Sequence, residues 1–191
     1  MIIFNENLYK AFNNYENYSE ALSYFNKYLE YLDSINDKSN ILYYKYYVEA
    51  LFERGKFYSF HYKFKKALKD FFQALNIFEA NNINNKNLLY DIYCSIGSEY
   101  LSIYKINKAN EYYNKAINLV DNFSKAYALK GNLYFHKNLY RKALKYYNIS
   151  ISKGYFKSYY DKSLIYFLKK NYKKALEMIE IYFMNKINNN K

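Results

Sequence analysis

Residues 90–117 read YDIYCSIGSEYLSIYKINKANEYYNKAI, and residues 125–151 repeat the same plan as KAYALKGNLYFHKNLYRKALKYYNISI. Gly97 and Gly131 are each followed twelve residues later by an alanine, Ala109 and Ala143, and Gly55 with Ala67 adds a third such pair. An aromatic follows each glycine by three (Tyr58, Tyr100, Tyr134) and each alanine by four (Phe71, Tyr113, Tyr147), and Ala74, Ala116 and Ser150 complete the unit. With only four glycines in 191 residues, three in one phase mark an internal repeat, the signal that decides architecture before any other.

Within each repeat the apolar and small residues recur at three-and-four spacing. Tyr93, Ile96, Gly97, Tyr100, Leu101 and Tyr104 share one helical stripe, and Ala109, Tyr112, Tyr113, Ala116, Ile117 and Val120 share the next. Each repeat is therefore predicted to be a helical hairpin with a short polar or Asn-containing link, at 104–107, 137–138 and 169–171. A glycine inside a helix costs about 1 kcal/mol against alanine, so a repeated one implies a packing need. The expectation is that Gly and the facing Ala let two backbones approach closely, with the aromatics filling the wider gaps on either side.

These segments resemble tetratricopeptide repeats, whose period of about 34 carries an aromatic, Leu-Gly, Tyr, Ala, Phe and Ala pattern. Ala109 to Ala143 is a spacing of 34. YYDKSLIYFLKKNYKKALEMIEIY, residues 159–182, puts Ser163 at the glycine phase and Ala175 at the alanine phase, and YSEALSYFNKYLEYL, residues 18–32, matches a second helix through Ala21 and Phe25. Tyr9 stands where a small residue is expected, so the first repeat is degenerate. The resemblance implies an all-α, right-handed superhelical solenoid of antiparallel helix pairs, one array over 1–191. Its approximate repeats are 2–35, 40–81, 86–121, 124–155 and 156–187, with a tail at 188–191. Two departures from the family stand out. The junction proline is missing, leaving 81–87 and Gly154 to end second helices. The alanine-phase spacings of 46, 42, 34 and 32 make the first junctions, SINDKSN and ANNINNKN, long. In length alone this resembles the longer-repeat branch found in signalling adaptors and bacterial regulatory receptors.

Composition narrows the class further. Hydrophobic residues make up 51% and aromatics 23%, which excludes a disordered chain. Cys94 is the only cysteine, so no disulfide framework or soft-metal cluster exists; it reads as a small packing residue in a reducing compartment. No apolar run reaches about 18 residues and no signal peptide is evident, giving the expectation of a cytoplasmic protein with no transmembrane segment. Residues 1–100 hold 11 Lys/Arg against 12 Asp/Glu, whereas residues 101–191 hold 18 against 5, so the formal +12 belongs to the second half. His61 and His136, the only histidines, fall in no metal-binding or catalytic spacing, and four scattered glycines build no phosphate loop. No enzyme, metal or cofactor is expected.

The resemblance implies a concave surface, lined by first helices, that receives a peptide or partner helix. Carried over by phase, the groove comprises Phe52, Phe60, Ser98, Lys125, Leu129, Asn132, Phe135, Lys157, Tyr160, Leu164 and Phe167, with Cys94, Ala128 and Asp161 also inward. The family's clamp for a chaperone C-terminal carboxylate needs two Lys, two Asn and an Arg at fixed phases. Phe52, Lys56, Ser95, Lys125 and Leu129 occupy them in one frame, and Cys94, Ser98, Leu129, Lys157 and Asp161 in the next. Each keeps one of the five, so that tail is disfavoured as a partner. Lys125 and Lys157 instead favour an acidic flank on the ligand, and Phe135, Tyr160 and Phe167 are expected to dominate binding. The alternative is a polyanion or anionic membrane surface bound by Lys142, Lys145, Lys169, Lys170, Lys173 and Lys174. Against nucleic acid, only Arg54 and Arg141 supply the planar fork that phosphate favours. Leu176, Ile179 and Phe183 would face a following repeat that the sequence does not contain, so that edge is expected to be covered by a second copy, a partner or part of a longer parent chain.

Overall fold

Asparagine side chains start four of the helices. Asn17, Asn40, Asn85 and Asn171 accept hydrogen bonds from the backbone N–H groups of Glu20, Leu42, Leu88 and Lys174, supplying partners that a first helical turn lacks. The computed structural model describes residues 10–11, 15–35, 40–119 and 124–188. Among them are nine long helices and no strand. Tyr9 and most of the first helix expected of repeat one, residues 36–39 of the SINDKSN junction, Val120 and residues 189–191 of the tail lie outside the described residues. The chain divides into two compact units, Met1–Ile103 and Tyr104–Lys191.

The first unit holds α1 (Tyr18–Ser34), α2 (Ile41–Phe60), α3 (Phe64–Ala80) and α4 (Lys86–Ser102). Helices α2 and α3 form its closest-packed pair, α1 lies against α2, and α4 against α3. The second unit holds α5 (Ile106–Leu119), α6 (Ser124–His136), α7 (Tyr140–Ser152), α8 (Lys157–Leu168) and α9 (Tyr172–Asn188). Here α6 pairs with α7 and α8 with α9, while α5 lies on α6 and α7 on α8. The first link runs through 103–105, one or two residues earlier than its sequence suggested, because Ile106 already belongs to α5.

The glycines do something other than expected. A Cβ built on Gly55 would stand 2.5 Å from Cε1 of Phe71, and one built on Gly131 would overlap the ring of Tyr147. At these two positions the aromatic four residues after the alanine lies over the glycine itself, so Gly55 and Gly131 each seat a ring. Both rings and both alanines, Ala67 and Ala143, are fully buried. That stacking of ring on backbone fixes the spacing between paired helices, and the same geometry sets the phase seen in the sequence.

The hairpin turns share one closure. Lys63 N–H donates to Tyr58 O at 2.8 Å, Leu139 N–H to Tyr134 O at 2.9 Å and Asn171 N–H to Tyr166 O at 2.9 Å. The residue before each donor, Tyr62, Asn138 or Lys170, has φ between 57° and 59°. This is the left-handed cap that glycine favours, yet glycine fills it only at Gly154, φ 91°.

In the first unit a charged clamp ties three helices. Arg54 of α2 donates from Nε and Nη2 to the Asp70 carboxylate of α3 at 2.7 and 2.8 Å, and from Nη1 to Asn26 Oδ1 of α1 at 2.9 Å. Elsewhere in that unit Ser59 Oγ donates to Glu99 Oε1 at 2.5 Å across α2 and α4, while Glu99 Oε2 has no hydrogen-bond partner. Burial raises the Glu99 carboxyl above the ordinary carboxylate range, and the Ser59 bond offsets part of the rise.

Candidate functional site

The groove positions carried over from the sequence separate between the two units. In the first, Phe52 is buried against Phe71, with ring centroids 5.6 Å apart, so it fills the core and offers little surface to a ligand. Phe60 is exposed, 5.1 Å from the Tyr15 ring. Ser98 is half-buried and donates to the Cys94 carbonyl at 2.9 Å, and Cys94 is buried and free of any disulfide.

The second unit holds the larger set, divided between α6 and α8. Lys125, Leu129, Asn132 and Phe135 come from α6, and Lys157, Tyr160, Leu164 and Phe167 from α8. Phe135 is half-buried against the cluster of Ala143, Tyr147 and Ile165, which fixes its position. Tyr160, Leu164 and Phe167 are exposed at 42%, 40% and 60%, an apolar row at helical spacing with solvent over it. Tyr182 of α9 supports Tyr160 at 5.9 Å between ring centroids, and Tyr172 supports Phe167 at 5.6 Å. Lys125 and Lys157 are both exposed.

Two polar groups interrupt the apolar row. The Tyr147 hydroxyl donates to Asn132 Oδ1 at 2.7 Å, fixing the amide. Asp161, half-buried on α8, has its pKa pushed up to about 6 by burial, with Lys157 one turn earlier offsetting only part. Burial raises the Tyr147 phenol as well, and the Asp161 charge adds to the rise. Sequence reasoning placed Asp161 inward without giving it a role. The available signal was its sign, since residues 101–191 hold only five acids and this one alone sits at an inward phase.

Burial of Asp161 has a measurable cost. Its folded-state pKa lies above the ordinary value of 3.8, so the native state binds the proton more tightly than the unfolded chain does. The associated stability is present below about pH 4 and is lost as pH rises toward 6. Asp161→Asn is therefore expected to stabilise the protein at pH 7.5 by about 1–2 kcal/mol, after discounting the shift for partial exposure. Urea denaturation of both proteins from pH 4 to 7.5 reads this out; the gap between them should open with rising pH, and a constant gap would contradict it.

At the far edge of this unit Leu176 and Phe183 of α9 are exposed and Ile179 is half-buried, with Met184 and Ile187 extending the apolar strip. The lysines at 142, 145, 169, 170, 173 and 174 are all exposed, although three lie over tyrosine rings: Lys142 on Tyr134, Lys169 on Tyr140 and Lys174 on Tyr166. Among the described residues no group of three side chains could hold a metal ion, and no helix is long and apolar enough to cross a membrane.

Comparison with known proteins bears directly on the fold. The family model described as tetratricopeptide repeat matches residues 90–119, 124–152 and 156–180. The structure of the Rap conjugation gene regulator of the plasmid pLS20, in complex with the Phr* peptide, is similar over 95% of this chain and 52% of its own, at 17% identity and a TM-score of 0.80. This chain thus spans about half of that one. The crystal structure of MamA is similar over 91% of both chains, at 19% identity and a TM-score of 0.60. YrrB, titled a TPR protein with an unusual peptide-binding site, is similar over 89% of this chain and 78% of its own, at 22% identity and a TM-score of 0.50. No curated protein sequence matches significantly. The three matched segments, which run from α4 into α9 and carry Gly97, Gly131, Ala109, Ala143 and Ala175, are tetratricopeptide repeats.

Proposed function

We propose that this chain is a non-catalytic protein-interaction scaffold and that the α6/α8 face binds an extended peptide or a partner helix. The observation that carries the reading is the solvent-exposed row Tyr160, Leu164 and Phe167 beside the fixed ring of Phe135, an apolar surface with rigid anchors. Exposed Lys125 at the start of α6 and Lys157 at the start of α8 favour acidic residues on the ligand. The Rap regulator in its peptide complex and YrrB with its peptide-binding site support the reading by analogy of fold.

Selection from a displayed peptide library on the immobilised protein tests it. Bound peptides should lose about 30-fold in affinity on Phe135→Ala or Tyr160→Ala, the size of a hot-spot truncation. Far-UV circular dichroism controls for folding, and unchanged affinity in a folded variant would remove this face from consideration. The exposed lysines at the hairpin turns favour a second reading, a polyanion or anionic membrane surface. Salt separates the two, since polyanion binding would weaken by about 10³-fold between 50 and 200 mM salt, whereas anchoring by aromatics would change little.

A further inference from the structure

Asp161 is an acid without a hydrogen bond, whereas several polar groups of the same unit are paired. Lys130 donates to Asn114 Oδ1 at 2.7 Å, Tyr147 to Asn132 at 2.7 Å, and Ser150 to the Ser124 carbonyl at 2.9 Å. Among the described residues the Asp161 carboxylate takes part in no hydrogen bond and no ion pair. Lys157, on the same helix, is felt only through space. Tyr147 stands between the two polar groups of the face, bonded to Asn132 and electrostatically coupled to Asp161.

A half-buried, unpaired carboxylate has already lost much of its water, so an incoming cation pairs with it at less further desolvation than on open surface. An apolar or acidic side chain laid over it would bury the charge without compensation. Lys157 stands one turn before Asp161 on α8, so a ligand group that meets Lys157 is acidic and one that meets Asp161 is basic. Resting on the peptide-binding reading above, we infer that the α6/α8 face selects a peptide carrying one Arg or Lys whose cation pairs with the Asp161 carboxylate, with an acidic residue nearby that meets Lys157. Arginine suits the carboxylate better than lysine, because its planar fork donates two parallel bonds.

The preference is pH-dependent in a defined direction. With its pKa near 6, Asp161 is ionised at pH 7.5 and mostly protonated at pH 5. The groups coupled to it are Lys157 on its own helix and the Tyr147 phenol from α7; α6 contributes the uncharged Asn132, and the charged α9 groups Lys174 and Glu177 act on Lys162 instead. The measurement is made in a His136→Gln background, which removes the α6 imidazole from the comparison.

The test uses the full chain and terminally blocked nonapeptide libraries in which each position in turn is fixed as Arg, Lys, Glu or Ala. At pH 7.5 one position should enrich Arg over Ala by about tenfold, with Glu excluded there and favoured at a neighbouring position. Asp161→Asn should erase the basic preference while leaving capture of the remaining pattern, and Asp161→Lys should convert it to an acidic one. Binding of an Arg-containing peptide should weaken by up to about tenfold from pH 7.5 to 5 in the parent, and stay flat in Asp161→Asn. Peptides captured with no basic preference, or with one that survives in Asp161→Asn, would overturn this inference and leave the groove reading standing. No capture of any peptide would overturn both.

Discussion

Asp70→Ala is expected to destabilise the protein by about 3–5 kcal/mol, the cost of stranding one member of a buried ion pair. The Asp70 side chain is 3% exposed and receives two parallel bonds from Arg54, whose own side chain is 18% exposed. Removing the acid leaves a guanidinium between α2 and α3 with only Asn26 as a partner, and the loss reaches α1 through that third bond. Arg54→Ala should cost a similar amount for the mirrored reason, leaving a carboxylate sealed in the core. The double variant Arg54→Met/Asp70→Leu should recover most of the loss, because two apolar side chains of comparable size need no counter-charge. Chemical denaturation followed by circular dichroism measures all three. A single variant costing less than about 1 kcal/mol would mean that water reaches the pair and that it behaves like a surface bridge.

Gly131→Leu is expected to cost more than about 4 kcal/mol and to unfold the α6–α7 hairpin, since the space beside Gly131 belongs to the Tyr147 ring. Gly131→Ala isolates the effect. Alanine gains about 1 kcal/mol of helix propensity, and the overlap costs about 1–3 kcal/mol. The ring cannot swing away cheaply, being 1% exposed with its hydroxyl tied to Asn132 at 2.7 Å. The net result should be a loss, reversed toward a gain when Tyr147→Ala clears the space in the same molecule. Gly154→Ala is the control, because nothing lies within 4 Å of its Cβ; only its positive φ is penalised, by about 1 kcal/mol. If Gly131→Ala stabilises the protein, the ring does not rest on the glycine.

The repeat was legible because Gly55, Gly97 and Gly131 are scarce residues in one phase, and scarcity converts position into information. What each glycine accommodates was not legible, since one sequence phase suits a close backbone and an overlying ring equally well. The Arg54–Asp70 clamp escaped for a related reason. Its members lie sixteen residues apart on facing helices, a separation that no single-helix periodicity reports. The turns were legible in position but not in conformation: Tyr62, Tyr104 and Lys170 adopt a left-handed conformation that Gly or Asn favours, as Asn138 does. Helix packing on both sides imposes that geometry and outweighs a residue cost of about 1–2 kcal/mol. The phase put Phe135 on α6 and Tyr160 and Lys157 on α8, where they lie. It could not show that Asp161 lacks a partner, because pairing depends on rotamers and burial.

The neighbour-to-neighbour packing of α6 through α9 also bears on how the second unit assembles. Nearly every helix there rests on the one before it or after it in the chain, with α8 touching α6 as the longest reach. Contacts of such short sequence separation close small loops, so folding of this unit should be fast, in the microsecond to millisecond range typical of helical proteins of low contact order. Amide exchange should then be graded along the chain, with the outermost helix, α9, opening first and the Tyr147 layer between α6 and α7 last.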